Sequence, residues 1–145
     1  VPERLVLARA LGADDLIDAQ DADPVKGVRE LTNGWGASAV VETSGNTKAR
    51  SQVVEVLRPR GKGAFVGLGK NDVVFDPACL IEPEKMLMGS YVLPIGMYDA
   101  FAEFLVKRKV NLSRIVTHRF SIDQGVEALK LFDSRKTGKV IFEYE

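Results

Sequence analysis

The sequence predicts an α/β fold built on a parallel sheet, and three observations carry that prediction. Ser38 to Gly69 reads as strand, glycine turn, helix, proline-glycine turn, strand and glycine tip. The half of the chain before Gly69 alternates helical and strand patterns, as a parallel sheet with crossover helices requires. The strand candidates are short apolar runs with β-branched residues, too short for helices.

The first element is a helix. Pro2 suits a first helical position, where its missing N–H costs nothing. Leu5, Ala8 and Leu11 follow at helical spacing, and Gly12 supplies the stop. A natural domain rarely opens on the second half of a supersecondary unit, so the chain reads as a piece of something longer. Asp14 to Asp18 is a short strand candidate around Leu16 and Ile17. Asp23-Pro24 then gives a cap and a first-turn proline, and Val25, Val28 and Leu31 line one face of a second helix. Asn33-Gly34 and Gly36 end it.

The organising stretch comes next. Ala39-Val40-Val41 is a strand closed by Ser44-Gly45-Asn46. Ala49, Val53, Val56 and Leu57 recur at helical spacing, with Lys48, Arg50 and Glu55 on other faces. Arg58-Pro59-Arg60-Gly61 stops this helix. Ala64-Phe65-Val66 is a second strand, closed by Gly67-Leu68-Gly69. Strand, crossover helix and strand of this length make a right-handed parallel βαβ unit. Ligands of such sheets lie at the carboxyl ends of the strands, here Thr43-Ser44-Gly45 and Gly67-Leu68-Gly69. Small residues there let a flat ligand approach the backbone, although Gly45, Gly67 and Gly69 also read as ordinary turn glycines. Glu42, at the end of a core strand, is expected to accept a hydrogen bond from neighbouring backbone.

After Gly69 the pattern loosens. Lys70-Asn71-Asp72 is a turn and Val73-Val74-Phe75 a brief strand, with breaks at Asp76-Pro77 and Glu82-Pro83. Lys85 to Val92 reads as a strand interrupted by Gly89, a glycine that signals close approach of another group. Tyr98, Phe101, Ala102 and Leu105 make an amphipathic helix ending in Lys107-Arg108-Lys109, cations suited to a helix C-terminus. Ile115 to Phe120 is a strand. Ser121 and Gln124 form a capping box for a helix whose apolar face is Ile122, Val126, Leu129 and Phe132. Thr137-Gly138 ends that region, and Lys139 to Tyr144 is a final strand.

Composition narrows the function. In 145 residues, 20 basic and 20 acidic side chains cancel, with no block of like charge. That argues against nucleic acid or a membrane surface as partner. No apolar run approaches a transmembrane length. A single cysteine, Cys79, makes no internal disulfide, so a cytoplasmic location is expected. Cys79 reads as a small packed side chain and the single histidine, His118, as a hydrogen-bonded structural residue.

These residues, taken in order, resemble the carboxy-terminal portion of the medium-chain dehydrogenase/reductase superfamily, the zinc-type alcohol dehydrogenases. The matching pieces are PERLVLARALGADDLIDA, GASAVVETSGN, LRPRGKGAFVGLG, MLMGSYV and HRFSIDQGVEALKLFDSRKTGKVIFEYE. The resemblance implies a partial Rossmann doubly wound sheet lacking its first two strands, because the family's GxGxxG turn and the acid ending its second strand have no counterpart here. It places a truncated NAD(P)-binding domain over 1–109. Residues 110–145 are then a C-terminal segment whose helix and strand return toward the catalytic domain. Leu16-Ile17 would then lack its usual neighbouring strand, leaving the chain alone marginally stable or associated.

The resemblance also implies an NAD- or NADP-dependent oxidoreductase. Zinc would sit in a missing amino-terminal domain and help move hydride between a small alcohol or polyol, or its carbonyl form, and nicotinamide. No catalytic or metal-binding residue is assigned within the chain, which alone is expected to be inactive. Implied cofactor contacts are Arg4 for the adenosine ribose and Ser44 and Gly45 for the adenosine edge. Val66, Gly67 and Leu68 flank the nicotinamide ribose and ring, Ser90, Tyr91 and Val92 present backbone to the carboxamide, and Lys139 meets the pyrophosphate. A homodimer or higher oligomer is implied, with the strands after Gly69 at the contact. Two alternatives remain open on the residues. One is an S-adenosylmethionine methyltransferase fragment, since LRPRGKGAFV also resembles a late turn and strand of those enzymes. The other is a non-catalytic dimerising α/β module.

Overall fold

The computed structural model describes residues 1–69 and 73–144. The chain divides into two compact units, Ala22–Pro94 and a second made of Val1–Asp21 with Ile95–Glu145.

The first unit holds α2 (Pro24–Leu31), β1 (Ala37–Glu42), α3 (Thr47–Val56), β2 (Leu57–Phe65), α4 (Ala78–Ile81) and β3 (Met86–Gly89), following α1 (Pro2–Ala10) of the other unit. Its three strands form one sheet in the order β1-β2-β3, with both pairings parallel. The βαβ unit expected from Ser38 to Gly69 is therefore present. Asp23 caps α2 as expected, its carboxylate accepting from the Val25 N–H at 2.9 Å. Asn46 caps α3, accepting from Lys48 and Ala49 at 2.9 and 3.2 Å. The far end of α3 has no cation of its own. Two come from elsewhere in the unit: Arg29 donates to the Glu55 carbonyl and Lys85 to the Val54 carbonyl, each at 2.7 Å. They meet the carbonyls a helix terminus leaves unpaired. Burial pulls the Lys85 ammonium below the ordinary lysine value, with repulsion from Arg29 adding to it.

The core of this unit is the inner face of α3 and its exit, where Val53, Val54, Val56 and Leu57 are buried. Arg58-Pro59-Arg60-Gly61 does stop α3, but it does not stand outside the sheet as a free turn. It is taken up as an irregularity in β2. Ala37 pairs with Leu57 and Ala39 with Lys62, so the extra residues bulge out of the ladder.

The second unit holds α1, α5 (Tyr98–Lys107), β4 (Val116–Phe120), α6 (Gly125–Asp133) and β5 (Lys139–Phe142). β4 and β5 pair in parallel. The Gly138 N–H donates to Thr117 Oγ1 at 2.9 Å, and the same oxygen lies 2.9 Å from His118 Nδ1. Arg9 and Arg114 donate to backbone carbonyls at the end of α1. The Ser121 N–H is met by the Gln124 side chain at 3.1 Å ahead of α6.

Several expectations need correction. Asp14 to Asp18 is coil, because no described strand lies alongside it to complete a ladder. Val73-Val74-Phe75 is also coil. The segment between the two proline breaks instead forms the one-turn helix α4, started by Asp76 accepting from the Ala78 N–H at 2.9 Å. Lys70-Asn71-Asp72 lies outside the described residues. The strand expected over Lys85 to Val92 is confined to Met86–Gly89, and among the described residues nothing approaches within 4 Å of a Cβ placed on Gly89. On α6 the expected apolar face is turned outward: Ile122, Val126, Leu129 and Phe132 are all more than half exposed, while Ala128 is buried. The helix is apolar on two sides, and spacing alone does not say which side the unit covers.

Gly36 and Gly89 make a test of where this packing is tight. Gly36 has φ +89°, and an added Cβ would lie 2.5 Å from the Val56 carbonyl oxygen. Gly36→Ala is expected to destabilise by about 1–3 kcal/mol, and Gly89→Ala by less than about 0.5 kcal/mol. Urea unfolding of both variants reads the difference, and equal losses would contradict this packing.

Candidate functional site

Parallel pairing brings three strand ends to one rim of the sheet in the first unit. β1 runs out into Thr43-Ser44-Gly45, β2 into Val66-Gly67-Leu68-Gly69, and β3 into Ser90-Tyr91-Val92. The ladder continues one step past the strands. Val66 and Gly67 donate to the Glu42 carbonyl at 2.8 and 3.0 Å, and Ser90 to the Phe65 carbonyl at 2.9 Å. The structure thus gathers eight of the ten expected cofactor residues at adjoining carboxyl ends, the position at which open α/β sheets take their ligands.

The glycines at these tips answer first to each other. A Cβ on Gly45 would fall 2.0 Å from the Leu68 carbonyl oxygen, one on Gly67 2.2 Å from the Gly45 nitrogen, and one on Gly69 2.1 Å from the Gly45 oxygen. Gly45 also has φ +68°. No side chain fits between two backbones that close. These glycines therefore have an immediate packing cause, because the two tips lie directly on one another. Leu68, Tyr91 and Val92 are largely exposed beside them. Val92 has φ +44°, an outlying conformation for a β-branched residue and a kind of local strain that clusters at functional sites.

Beneath the tips lies a buried carboxylate. The Glu42 side chain accepts from the Ser44 N–H at 2.7 Å, the Ser44 hydroxyl at 2.5 Å and the Gly45 N–H at 3.0 Å. Arg50 Nε stands 4.0 Å from its other oxygen, with the two side chains only 17% and 4% exposed. Arg50 Nη2 in turn donates to the Gly67 carbonyl at 2.7 Å. Glu42 thus does bond neighbouring backbone, as expected. Arg50 was not singled out by sequence. The signal available was an acid closing a core strand with a cation one turn into the next helix.

This arrangement fixes what Ser44 offers. Its hydroxyl proton is engaged by Glu42, and one lone pair accepts from the Asn46 N–H at 3.1 Å. What remains is an acceptor, suited to a hydroxyl or amine donor. The other two expected residues lie in the second unit. Arg4 Nε donates to the Thr137 carbonyl at 3.2 Å, and Lys139 opens β5 two residues further on. Cys79 is a free, half-buried thiol. Among the described residues no group of three or more His, Cys, Asp or Glu is placed to hold a metal, and no helix is long and apolar enough to cross a membrane.

Burial alone would raise the Glu42 pKa. The hydrogen bonds from Ser44 and Gly45 together with the Arg50 charge outweigh it and hold the carboxyl below the ordinary carboxylate value. A depressed folded pKa contributes stability that is complete above the unfolded value. That contribution is lost as pH falls through the folded value. Glu42→Gln is expected to cost roughly 2–4 kcal/mol near pH 7. As pH falls below the ordinary carboxylate value it should lose less further stability than the parent. Urea midpoints against pH would show the two curves converging, and parallel curves would refute the assignment.

With this geometry in place, comparison with known proteins is informative. Residues 1–107 match the family model described as zinc-binding dehydrogenase. A sorbitol dehydrogenase from Halalkalibacterium halodurans is 33% identical over 139 residues, covering 95% of this chain and 40% of that protein. An L-threonine 3-dehydrogenase from Thermococcus kodakarensis is 32% identical over 143 residues, covering 96% and 41%. Among solved structures, an alcohol dehydrogenase from Thermotoga maritima superposes with a TM-score of 0.85 at 26% identity, covering 100% of this chain and 41% of that one. The benzyl alcohol dehydrogenase from Acinetobacter calcoaceticus gives 0.84 at 27%, with 100% and 41% covered. The chain therefore spans about two fifths of the length of the relatives it matches. The methyltransferase alternative is set aside, because these relatives and neighbours are dehydrogenases. By the match over residues 1–107, this chain belongs to the zinc-binding dehydrogenase family.

Proposed function

We propose that the full-length protein is an NAD- or NADP-dependent oxidoreductase that moves hydride between an alcohol or polyol carbon and nicotinamide, with this chain supplying most of its coenzyme-binding half. The observation that carries the proposal is the meeting of the β1 and β2 glycine tips at one carboxyl rim of a parallel sheet, Gly45 against Gly67 and Leu68. The relatives named for sorbitol and L-threonine support the substrate class.

Bound nicotinamide supplies the hydride acceptor or donor chemistry. The residues of this chain bind and orient. Ser44 accepts from the adenosine portion, Val66, Gly67 and Leu68 flank the nicotinamide ribose and ring, and the backbone of Ser90, Tyr91 and Val92 fixes the carboxamide. The strained Val92 supports that last role, since backbone held off its preferred region is commonly held for a reason. Arg4 and Lys139 are assigned to the adenosine ribose and pyrophosphate as cations for anionic and hydroxylated groups. The family description implies zinc. The described residues do not form a site for it, so we assign zinc to the rest of the full-length protein and build no step on it.

We further propose the domain division 1–109 and 110–145, a cytoplasmic location on the single cysteine, and a homodimer. The dimer proposal is supported by β3, an edge strand of its sheet with Met86 and Met88 about half exposed.

Fluorescence titration of the full-length protein with NADH and NADPH is expected to give saturable binding of at least one. Binding of neither would overturn the coenzyme assignment. Light scattering at micromolar concentration should return twice the monomer mass or a higher multiple, and a monomer mass would refute the dimer.

A further inference from the structure

We infer that Glu42 and Arg50 form a positioning pair that sets the spacing of the two glycine tips and, through it, the affinity for the dinucleotide. The inference rests on the coenzyme assignment above.

Each member of the pair holds one tip. Glu42 holds the first, through the N–H groups of Ser44 and Gly45 and the Ser44 hydroxyl. Arg50 holds the second, through the Gly67 carbonyl at 2.7 Å. Its guanidinium also lies against Gly69, with the central carbon and Nη1 both 3.0 Å from where a Cβ would stand. The ion pair at 4.0 Å joins the two holds. Glu42 is 4% exposed with its oxygens engaged, and Arg50 is 17% exposed with Nη2 spent on the Gly67 carbonyl. The pair therefore acts through the backbone it fixes.

The orphaned Arg50 Nε fits this role. A guanidinium placed only to maximise the ion pair would present Nε to the carboxylate at hydrogen-bond distance. Here the side chain is instead drawn toward the Gly67 carbonyl, with its nearest carboxylate oxygen left at 4.0 Å. Tip spacing is kept at the expense of pair strength. A binding crevice made of two loops needs its walls held to a fraction of an ångström, and residues behind the walls supply that hold.

The test is a double-mutant cycle in the full-length protein, read as the NADH or NADPH dissociation constant well below each variant's melting temperature. Glu42→Gln keeps the shape of the side chain but turns an amide toward the Gly45 N–H. Arg50→Lys keeps the charge but cannot reach the Gly67 carbonyl and the carboxylate together. Each is expected to weaken binding about 5- to 20-fold, and the double variant no more than the worse single, because the two act as one unit. Arg50→Lys leaves the Glu42 bonds to Ser44 and Gly45 intact, so it carries the test even where Glu42→Gln fails to fold. A lowered melting temperature with unchanged affinity in the folded single variants would make the pair structural only and overturn the inference. Losses that multiply independently would overturn it too. Failure of the parent protein to bind either dinucleotide would instead bring down the coenzyme assignment, and the inference with it.

Discussion

A carboxylate withdrawn from water at the end of a core strand is the constraint on which the rest of this rim depends. An isolated buried carboxylate is costly enough to protonate instead. Glu42 stays ionised because three donors and a guanidinium surround it. Those donors are not incidental neighbours. They stand two and three residues past the end of β1, and the cation comes from α3. One charge thus dictates how the chain leaves the strand, where the helix begins and where the tip of the next strand rests. Asn46 caps α3 within the same turn, so the exit of β1 and the entry of α3 share consecutive hydrogen bonds.

This wiring separates the turn from the anion-binding kind. A phosphate-binding strand-to-helix turn leaves its N–H groups and helix N-terminus pointing at the ligand. Here the Ser44 and Gly45 N–H groups point down to Glu42, and those of Lys48 and Ala49 to Asn46. What the tip leaves unengaged is its shape and the remaining lone pair of Ser44.

Much of the fold was legible in sequence where local chemistry determines it. Asp23-Pro24 wrote its own helix start, and Ala39-Val40-Val41 and Ala64-Phe65 lie in strands as read, with Val66 just past the end of β2. The failures fall where a partner decides. Leu16-Ile17 has strand composition but no ladder beside it, so it stays coil. The helix at Ala78–Ile81 is too short for periodicity to reveal. At the rim, the glycine tips and Glu42 were readable because each is extreme for its place. Arg50 was not, because its importance lies in reaching from a helix to a neighbouring loop, and no spacing rule records that reach.

The outward face of α6 needs a different explanation. Ile122, Val126, Leu129 and Phe132 carry the spacing of a buried stripe, yet all stand more than half exposed. A stripe of that spacing is usual for a face packed on a neighbour, and here it stands open. The chain spans about two fifths of its relatives, and the proposed full-length protein includes residues beyond these. On that proposal the stripe and the small inward face around Ala128 are two working surfaces of one helix. The spacing was read as a core face, and in this chain the buried side is instead the one around Ala128. Edge exposure along β3 follows the same logic, because Met86 and Met88 sit on a strand paired on one side alone. The exposed apolar face and the buried Glu42 pose the same physical question: each is a side chain whose cost depends on its neighbours, and for Glu42 those neighbours are Ser44, Gly45 and Arg50.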